Sequence, residues 1–347
     1  AAPSIMPQVI NIFLYGGPSE LSGNLSNIVD IDNNSQNSYA AAFGDGILSF
    51  DDDGTGNNGF ITPNGFWRGA GGLDMQFLLN GNGNHMSVYR TLMKLKNGTS
   101  SHREIILMIQ KGSLDIENSA GVGTRIAATL YQNRSVYENG TMFADGSAVD
   151  MDNIILPFVS FEGETRFFAT DPDYAVPLLL RGTTLNEDLQ DPYTRLNNDN
   201  AAKLDAMVNK KLADPAYSSR YSQVIDSNDL REYLSSEIGS LRSKAGVLPT
   251  ISDPADQAEL GLIDGVTPMS YPDNNGYSDR IQAAVTLAIE NASSMYITVG
   301  GGLGGWDDHN NGVDEYPDRM NQLFAALKAA ALHIKYSGTQ TSGVAGT

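Results

Sequence analysis

The chain has 347 residues, 41% of them apolar, with no cysteine and with 41 acidic against 22 basic side chains for a formal net charge of −19. That apolar fraction supports a folded core and excludes a disordered chain, while the longest apolar runs, such as Ile154 to Val159, fall far short of the roughly 20 residues that cross a bilayer as a helix. The acidic balance excludes nucleic acid as a default partner, because polyanions are held by clustered Lys and Arg, and the lack of cysteine excludes disulfides, thiolate metal sites and a thiol nucleophile.

The chain opens Ala1-Ala2-Pro3-Ser4. Signal-peptide cleavage after small residues leaves such a start, as would a cloned fragment; the first reading predicts an exported protein, periplasmic or at the cell surface. Val9 to Tyr15 reads as a buried strand, closed by the turn Gly16-Gly17-Pro18-Ser19, and in open α/β sheets the carboxyl ends of strands are where sites are built. From 22 to 72, Asn, Asp, Gly and Ser dominate: a loop-rich excursion of that length calls for a function or for bound ions. Leu73 to Leu79 has the periodicity of a short helix and Met86 to Arg90 that of a strand. Helices are expected from His102 to Gln110, capped by Ser101, and from Val122 to Tyr131. Ile154 to Phe161 is a second buried strand.

Residues 170–275 change character. Pro-containing turns separate two amphipathic helices, near Ala201 to Leu212 and Asn228 to Ser243, which reads as a helical insertion within a single 1–347 α/β domain. The strand and helix alternation then returns. Ser278 is placed as the cap of a helix reaching Glu290, Met295 to Val299 is a strand, Gly300 to Gly305 is a glycine turn, and Tyr316 to Ile334 is a long amphipathic helix. No repeat of fixed period is present.

Three segments carry residue types suited to chemistry. In Gly300-Gly301-Gly302-Leu303-Gly304-Gly305-Trp306-Asp307-Asp308-His309, Asp307 and His309 can offer an oxygen and an imidazole nitrogen to one metal; an acidic surface loop with a single His is the other reading. Ser19 stands at a strand-to-loop turn, as an exposed nucleophile does, although Gly-Pro-Ser is also ordinary turn chemistry. Asp51, Asp53, Thr55 and Gly56 occupy the first, third, fifth and sixth positions of an EF-hand-like loop, but Thr62 stands where the bidentate Glu belongs. This predicts an irregular calcium site on Asp51 and Asp53. Of the four histidines, His85, His102 and His333 have structural readings, with His333 near a helix end where a cation favours the dipole. Sequons at Asn24, Asn33, Asn97, Asn133, Asn139 and Asn291 are a weaker sign of export.

Phe13-Leu14-Tyr15-Gly16-Gly17-Pro18-Ser19-Glu20-Leu21, Leu156-Pro157-Phe158-Val159-Ser160-Phe161-Glu162-Gly163 and Gly302-Leu303-Gly304-Gly305-Trp306-Asp307-Asp308-His309 together resemble a family of exported bacterial proteins grouped with the alkaline phosphatase and sulfatase superfamily. The resemblance is collinear along the chain. It implies a three-layer α/β/α sandwich with a mostly parallel sheet, and a centre in which two divalent metals activate a nucleophile against phosphate or sulfate esters. On that pattern Asp307 and His309 fall on the Trp-Asp-x-His motif, His102 on a Ser-His pair ahead of a helix, and Ser19 in the turn that holds metal or nucleophile.

The departures from the pattern lie at the expected ligands. Relatives carry His and Asp where this chain has Glu20 and Ser22, and they continue into Phe-Gly-Arg and Asp-His-Gly motifs that are not found before Thr347. A truncated product, or a scaffold without its catalytic half, is therefore expected. Missing late strands leave an unpaired edge and an apolar face, which predicts self-association or a completing partner chain unless residues 1–8 or the excursion before Gly72 cover them. The function expected is that of a secreted, non-catalytic structural or assembly protein with calcium in its acidic loops. The alternative is a metal-dependent phosphate or sulfate ester hydrolase using zinc or manganese at Asp307, His309 and His102, with Ser19 as nucleophile.

Overall fold

The computed structural model describes residues 3–16, 101–152, 154–162, 165–169, 247–259, 267–300, 306 and 312–341, with single residues 74, 75, 77, 78, 86, 203, 206, 207 and 210. In chain order the elements are β1 (Val9–Ile12), α1 (His102–Lys111), α2 (Val122–Gln132), α3 (Arg134–Tyr137), β2 (Phe158–Ser160), a 3₁₀ turn (Arg166–Phe168), β3 (Thr250–Ile251), α4 (Pro254–Glu259), β4 (Thr267–Pro268), α5 (Ser278–Glu290), β5 (Tyr296–Val299) and α6 (Gly312–Thr341). The protein is mixed α/β, with a small parallel sheet and a separate antiparallel pair, β3 with β4.

The parallel sheet has the order β1-β5-β2, so the last strand in sequence is the middle one in space. Val9 and Phe158 both stand opposite Tyr296, and Ile12 stands opposite Val299. Successive side chains of a strand leave opposite faces, and the apolar composition of these runs feeds a core on each. On one face Ile10, Ile12, Val159, Ile297 and Val299 pack with Ile281 and Leu287 of α5 and Leu323 and Phe324 of α6. Buried alanines, Ala284 and Ala288 on α5 and Ala326, Ala329 and Ala330 on α6, provide the small surfaces between these two neighbouring helices. On the other face Phe158 and Tyr296 pack with Ala127 and Leu130 of α2 and with Phe167 and Phe168. Each large side chain withdrawn from water contributes on the order of 1.5–3 kcal/mol.

Several elements differ from their expected bounds for identifiable reasons. The run from Ile154 does not enter the sheet until Phe158, because Leu156 has φ +49° and turns the chain. The turn after α5 holds that conformation: Asn291 Nδ2 and Ser293 Oγ donate to Ile155 O, and Ser294 Oγ donates to Leu156 O at 2.8 Å. Ser278 is the first residue of α5 rather than its cap; Tyr277 precedes the helix, and the Ser278 hydroxyl is buried without a partner. Ser101 does precede α1, but its side chain makes no capping bond. The final helix begins at Gly312 and reaches Thr341, longer than its apolar stripe indicated.

The remaining described residues are tied to this centre. Residues 74, 75, 77 and 78 are helical, with Met75, Phe77 and Leu78 in the first core, and Lys328 of α6 pairs with Asp74. Ile251, Met269 and Tyr271 enter the same core. Asp256, 0% exposed, is held by Lys335 at 2.6 Å and by the Tyr336 hydroxyl. Among the described residues, residues 3–8 bond outside the three-stranded sheet: Met6 and Ser4 bond to Met142, and the Gln8 side chain donates to the carbonyls of Ala288, Asn291 and Ser294 at the end of α5. Among the described residues no helix is long and apolar enough to cross a membrane.

Candidate functional site

Parallel pairing of β1, β5 and β2 brings three carboxyl ends together, and a polar cluster sits there. Beyond β2 the apolar run ends in Glu162; beyond β1 it ends in Tyr15; beyond β5 comes Gly300. The Tyr15 hydroxyl donates to Glu162 Oε2 at 3.3 Å. Gln110, near the end of α1 and 1% exposed, donates its amide to the same hydroxyl at 2.5 Å. Gly300 makes this geometry feasible: a Cβ there would stand 2.1 Å from Glu162 Oε2 and 3.0 Å from Phe13 O. Arg280, in the first turn of α5, donates to Gly300 O at 2.7 Å and fixes the other side of that residue.

Burial dominates the electrostatics. It pushes the Glu162 carboxyl above the ordinary glutamate range, against the smaller opposing effects of the Thr165, Tyr15 and Thr298 hydroxyls and the Arg280 charge. Tyr15 is also raised, first by burial and then by the nearby Glu162 charge. The Tyr15 hydroxyl donates to Oε2 and the Thr165 and Thr298 hydroxyls also face this carboxyl, while Oε1 is buried and makes no well-aligned hydrogen bond among the described residues. Such a carboxyl can keep its proton to a higher pH than usual and can donate or accept it at either oxygen.

Of the residues singled out from sequence, His102 is described. It is the exposed first residue of α1. Eight residues separate it from Gln110, about 12 Å along a helix axis, so it does not join the Tyr15–Glu162 cluster. Ser19, Asp51, Asp53, Asp307 and His309 lie outside the described residues, as do Glu20, residues 87–90 of the strand expected from Met86 to Arg90, and the helix expected from Asn228 to Ser243. Trp306, immediately before Asp307, is 1% exposed and packs at a tilt against Tyr277, ring centres 6.3 Å apart.

His333 is not a charged helix-end residue. It is buried in α6, its Nδ1 lies 3.1 Å from the Tyr271 hydroxyl, and burial lowers its pKa to about 4. Asn291, read as a sequon, uses its amide nitrogen to bond Ile155 O and Ser294 Oγ. Sequence reasoning passed over Tyr15, Gln110 and Arg280; the available signal was a polar residue directly after a buried strand, which Glu162 also gives.

Among the described residues no group of three or more His, Asp or Glu converges on one point, and the groups bonded to Glu162 are hydroxyls. These residues do not by themselves make a dimetal centre. Comparison with family models, with curated proteins and with solved structures gave no match.

Proposed function

We propose that this is an exported, non-catalytic structural or assembly protein on a three-layer α/β/α scaffold of the alkaline phosphatase and sulfatase kind, with calcium held by acidic loops that include Asp51 and Asp53. The observation that supports the reading is the state of Glu162. At the carboxyl end of the sheet, where a hydrolase of that kind needs carboxylates facing a metal, this side chain accepts from the Tyr15 hydroxyl, to which Gln110 in turn donates. The net charge of −19 resists close approach of copies, and a divalent cation between acidic loops removes that resistance. Light scattering of the native protein with calcium and then with a chelator tests it. Assembly that grows with calcium and reverses on chelation is expected; a monomer indifferent to both overturns it.

The second reading, a metal-dependent ester hydrolase, is favoured by Glu162 Oε1, which at the same end of the sheet makes no well-aligned hydrogen bond among the described residues. In that case Asp307 and His309, with His102, are the metal ligands and Ser19 the nucleophile; zinc or manganese supplies a Lewis acid and a more acidic nucleophile.

A further inference from the structure

Asn139 is an exposed residue in the turn that follows α3, and Gly140 comes next. Gly140 has φ +99°, and a Cβ there would meet nothing within 4 Å. The amides on either side are engaged: Glu138 N donates to Arg134 O at 2.8 Å and Thr141 N donates to Tyr137 O at 3.2 Å. The Gly140 amide between them makes no backbone hydrogen bond among the described residues. Asparagine is a chemically labile residue, and most so before glycine, where no Cβ shields the following nitrogen and the backbone is free to bring it onto the side-chain carbonyl.

Asn275-Gly276 is the other Asn-Gly pair with both residues described, and there the asparagine is clamped. Its Nδ2 donates to Gln322 O at 2.7 Å, and its Oδ1 accepts from Tyr277 N at 2.9 Å. The same two residue types thus stand in one open and one locked setting within a single chain.

We propose that Asn139 is a self-modification site, converting without an enzyme to aspartate and isoaspartate, and that the isoaspartyl form releases residues 3–6 from Met142. The Gly140 amide nitrogen gives its proton to water or hydroxide and bonds Asn139 Cγ; the Cγ–Nδ2 bond breaks and Nδ2 leaves as ammonia. Water then opens the cyclic imide at Cγ, which yields isoaspartate's partner product, aspartate, or at the main-chain carbonyl, which yields isoaspartate. The second product adds a methylene to the main chain between residues 139 and 140. Just beyond it, Thr141 Oγ1 donates to Pro3 O at 2.9 Å, Met142 N donates to Ser4 O at 3.1 Å, and Met6 N donates to Met142 O at 2.8 Å. A lengthened turn shifts Thr141 and Met142 off these partners. The site is independent of whether the protein assembles or hydrolyses esters.

Peptide mass spectrometry of the full chain, aged in mildly alkaline buffer and digested under mildly acidic conditions, tests the proposal. The Asn139 peptide is expected to gain the mass of an amide-to-acid change and to split into two isomers, one of them a substrate for isoaspartyl methyltransferase, while the Asn275 peptide stays intact. In urea, where the clamp on Asn275 is gone, both are expected to convert alike, and Asn139→Gln is expected to leave position 139 unchanged. An intact Asn139 in the aged protein, or equal conversion of Asn139 and Asn275 in the folded chain, overturns the assignment. Amide hydrogen exchange of Met6 and Met142, a measure of local opening, is expected to be faster in the isoaspartyl fraction than in fresh protein. Equal exchange in the two overturns the release of residues 3–6.

Discussion

The Tyr15 hydroxyl reaches Glu162 Oε2, 3.3 Å away, across a position that a side chain would fill: a Cβ on Gly300 would come within 2.1 Å of that oxygen. Three strand ends, from segments separated by more than a hundred residues of chain, meet in this contact. Burial of this contact raises the pKa of both groups, and the Tyr15 hydroxyl partly offsets the effect on Glu162.

Gly300→Ala is expected to destabilise the protein by about 2 kcal/mol, the usual scale of overpacking. The Glu162 carboxyl can swing away and give up Tyr15, but Phe13 O, 3.0 Å from the added carbon, is backbone. Urea unfolding of Gly300→Ala, Glu162→Ala and the double variant checks this. The double variant is expected to cost less than the sum of the two single changes, because the clash with the carboxylate is then removed.

Glu162 gives stability a falling pH dependence. Its folded pKa lies above its unfolded one, so the folded state holds more protons between those values, and stability drops as pH rises through the window. Glu162→Gln is expected to flatten that segment of the curve and to be the more stable protein at neutral pH. Unfolding midpoints from pH 4 to pH 8, on the order of the carboxyl range and above, read the effect. A parallel offset at every pH is the contrary result.

His333 acts in the opposite sense. Buried against the Tyr271 hydroxyl with a pKa of about 4, it is neutral when folded, while the unfolded side chain titrates near about 6.5. The unfolded state binds more protons across that window, so stability is lost as pH falls through it, by up to about 3 kcal/mol. His333→Gln is expected to show a shallower loss between those pH values. Combining it with Glu162→Gln separates the two contributions, since their slopes have opposite signs.

Asp256 ties the segment before α5 to the last helix. With the carboxylate 0% exposed and Lys335 at 2.6 Å, removing the lysine leaves a buried charge supported chiefly by Tyr336. Lys335→Met is expected to cost about 3 kcal/mol, and Asp256→Asn in the same background to recover part of it. Denaturant titration of the four proteins in the cycle measures the coupling; purely additive costs contradict the assignment.

The central strands were legible because runs rich in β-branched and aromatic residues favour strands; Tyr296 to Val299 is fully buried as expected, whereas β1 ends at Ile12 and is only partly buried, with Val9 exposed at its start. Their order was not. Nothing local in Tyr296 to Val299 shows that it lies between β1 and β2, and without that order Tyr15 and Glu162 cannot be brought together. Glu162 was visible as a charge ending an apolar run, but its burial and its contact with Tyr15 depend on long-range register. Ser278 shows the limit of local rules: a good capping residue lies one position inside the helix, because Asn275 O already accepts its amide and starts the turn. For His333, helix position suggested a charge, whereas the tertiary contact with Tyr271 decides that it is neutral. Ser19, Asp51, Asp53, Asp307 and His309 carry the chemistry expected from sequence and lie outside the described residues.

The proposed phosphatase-like scaffold that assembles and does not hydrolyse is put to the test by turnover of a chromogenic phosphate ester and a chromogenic sulfate ester by the native protein supplied with zinc or manganese. No turnover above the metal blank, and no difference between the wild-type protein and Asp307→Asn, is expected. Steady turnover with stoichiometric bound metal, abolished in Asp307→Asn, would contradict it.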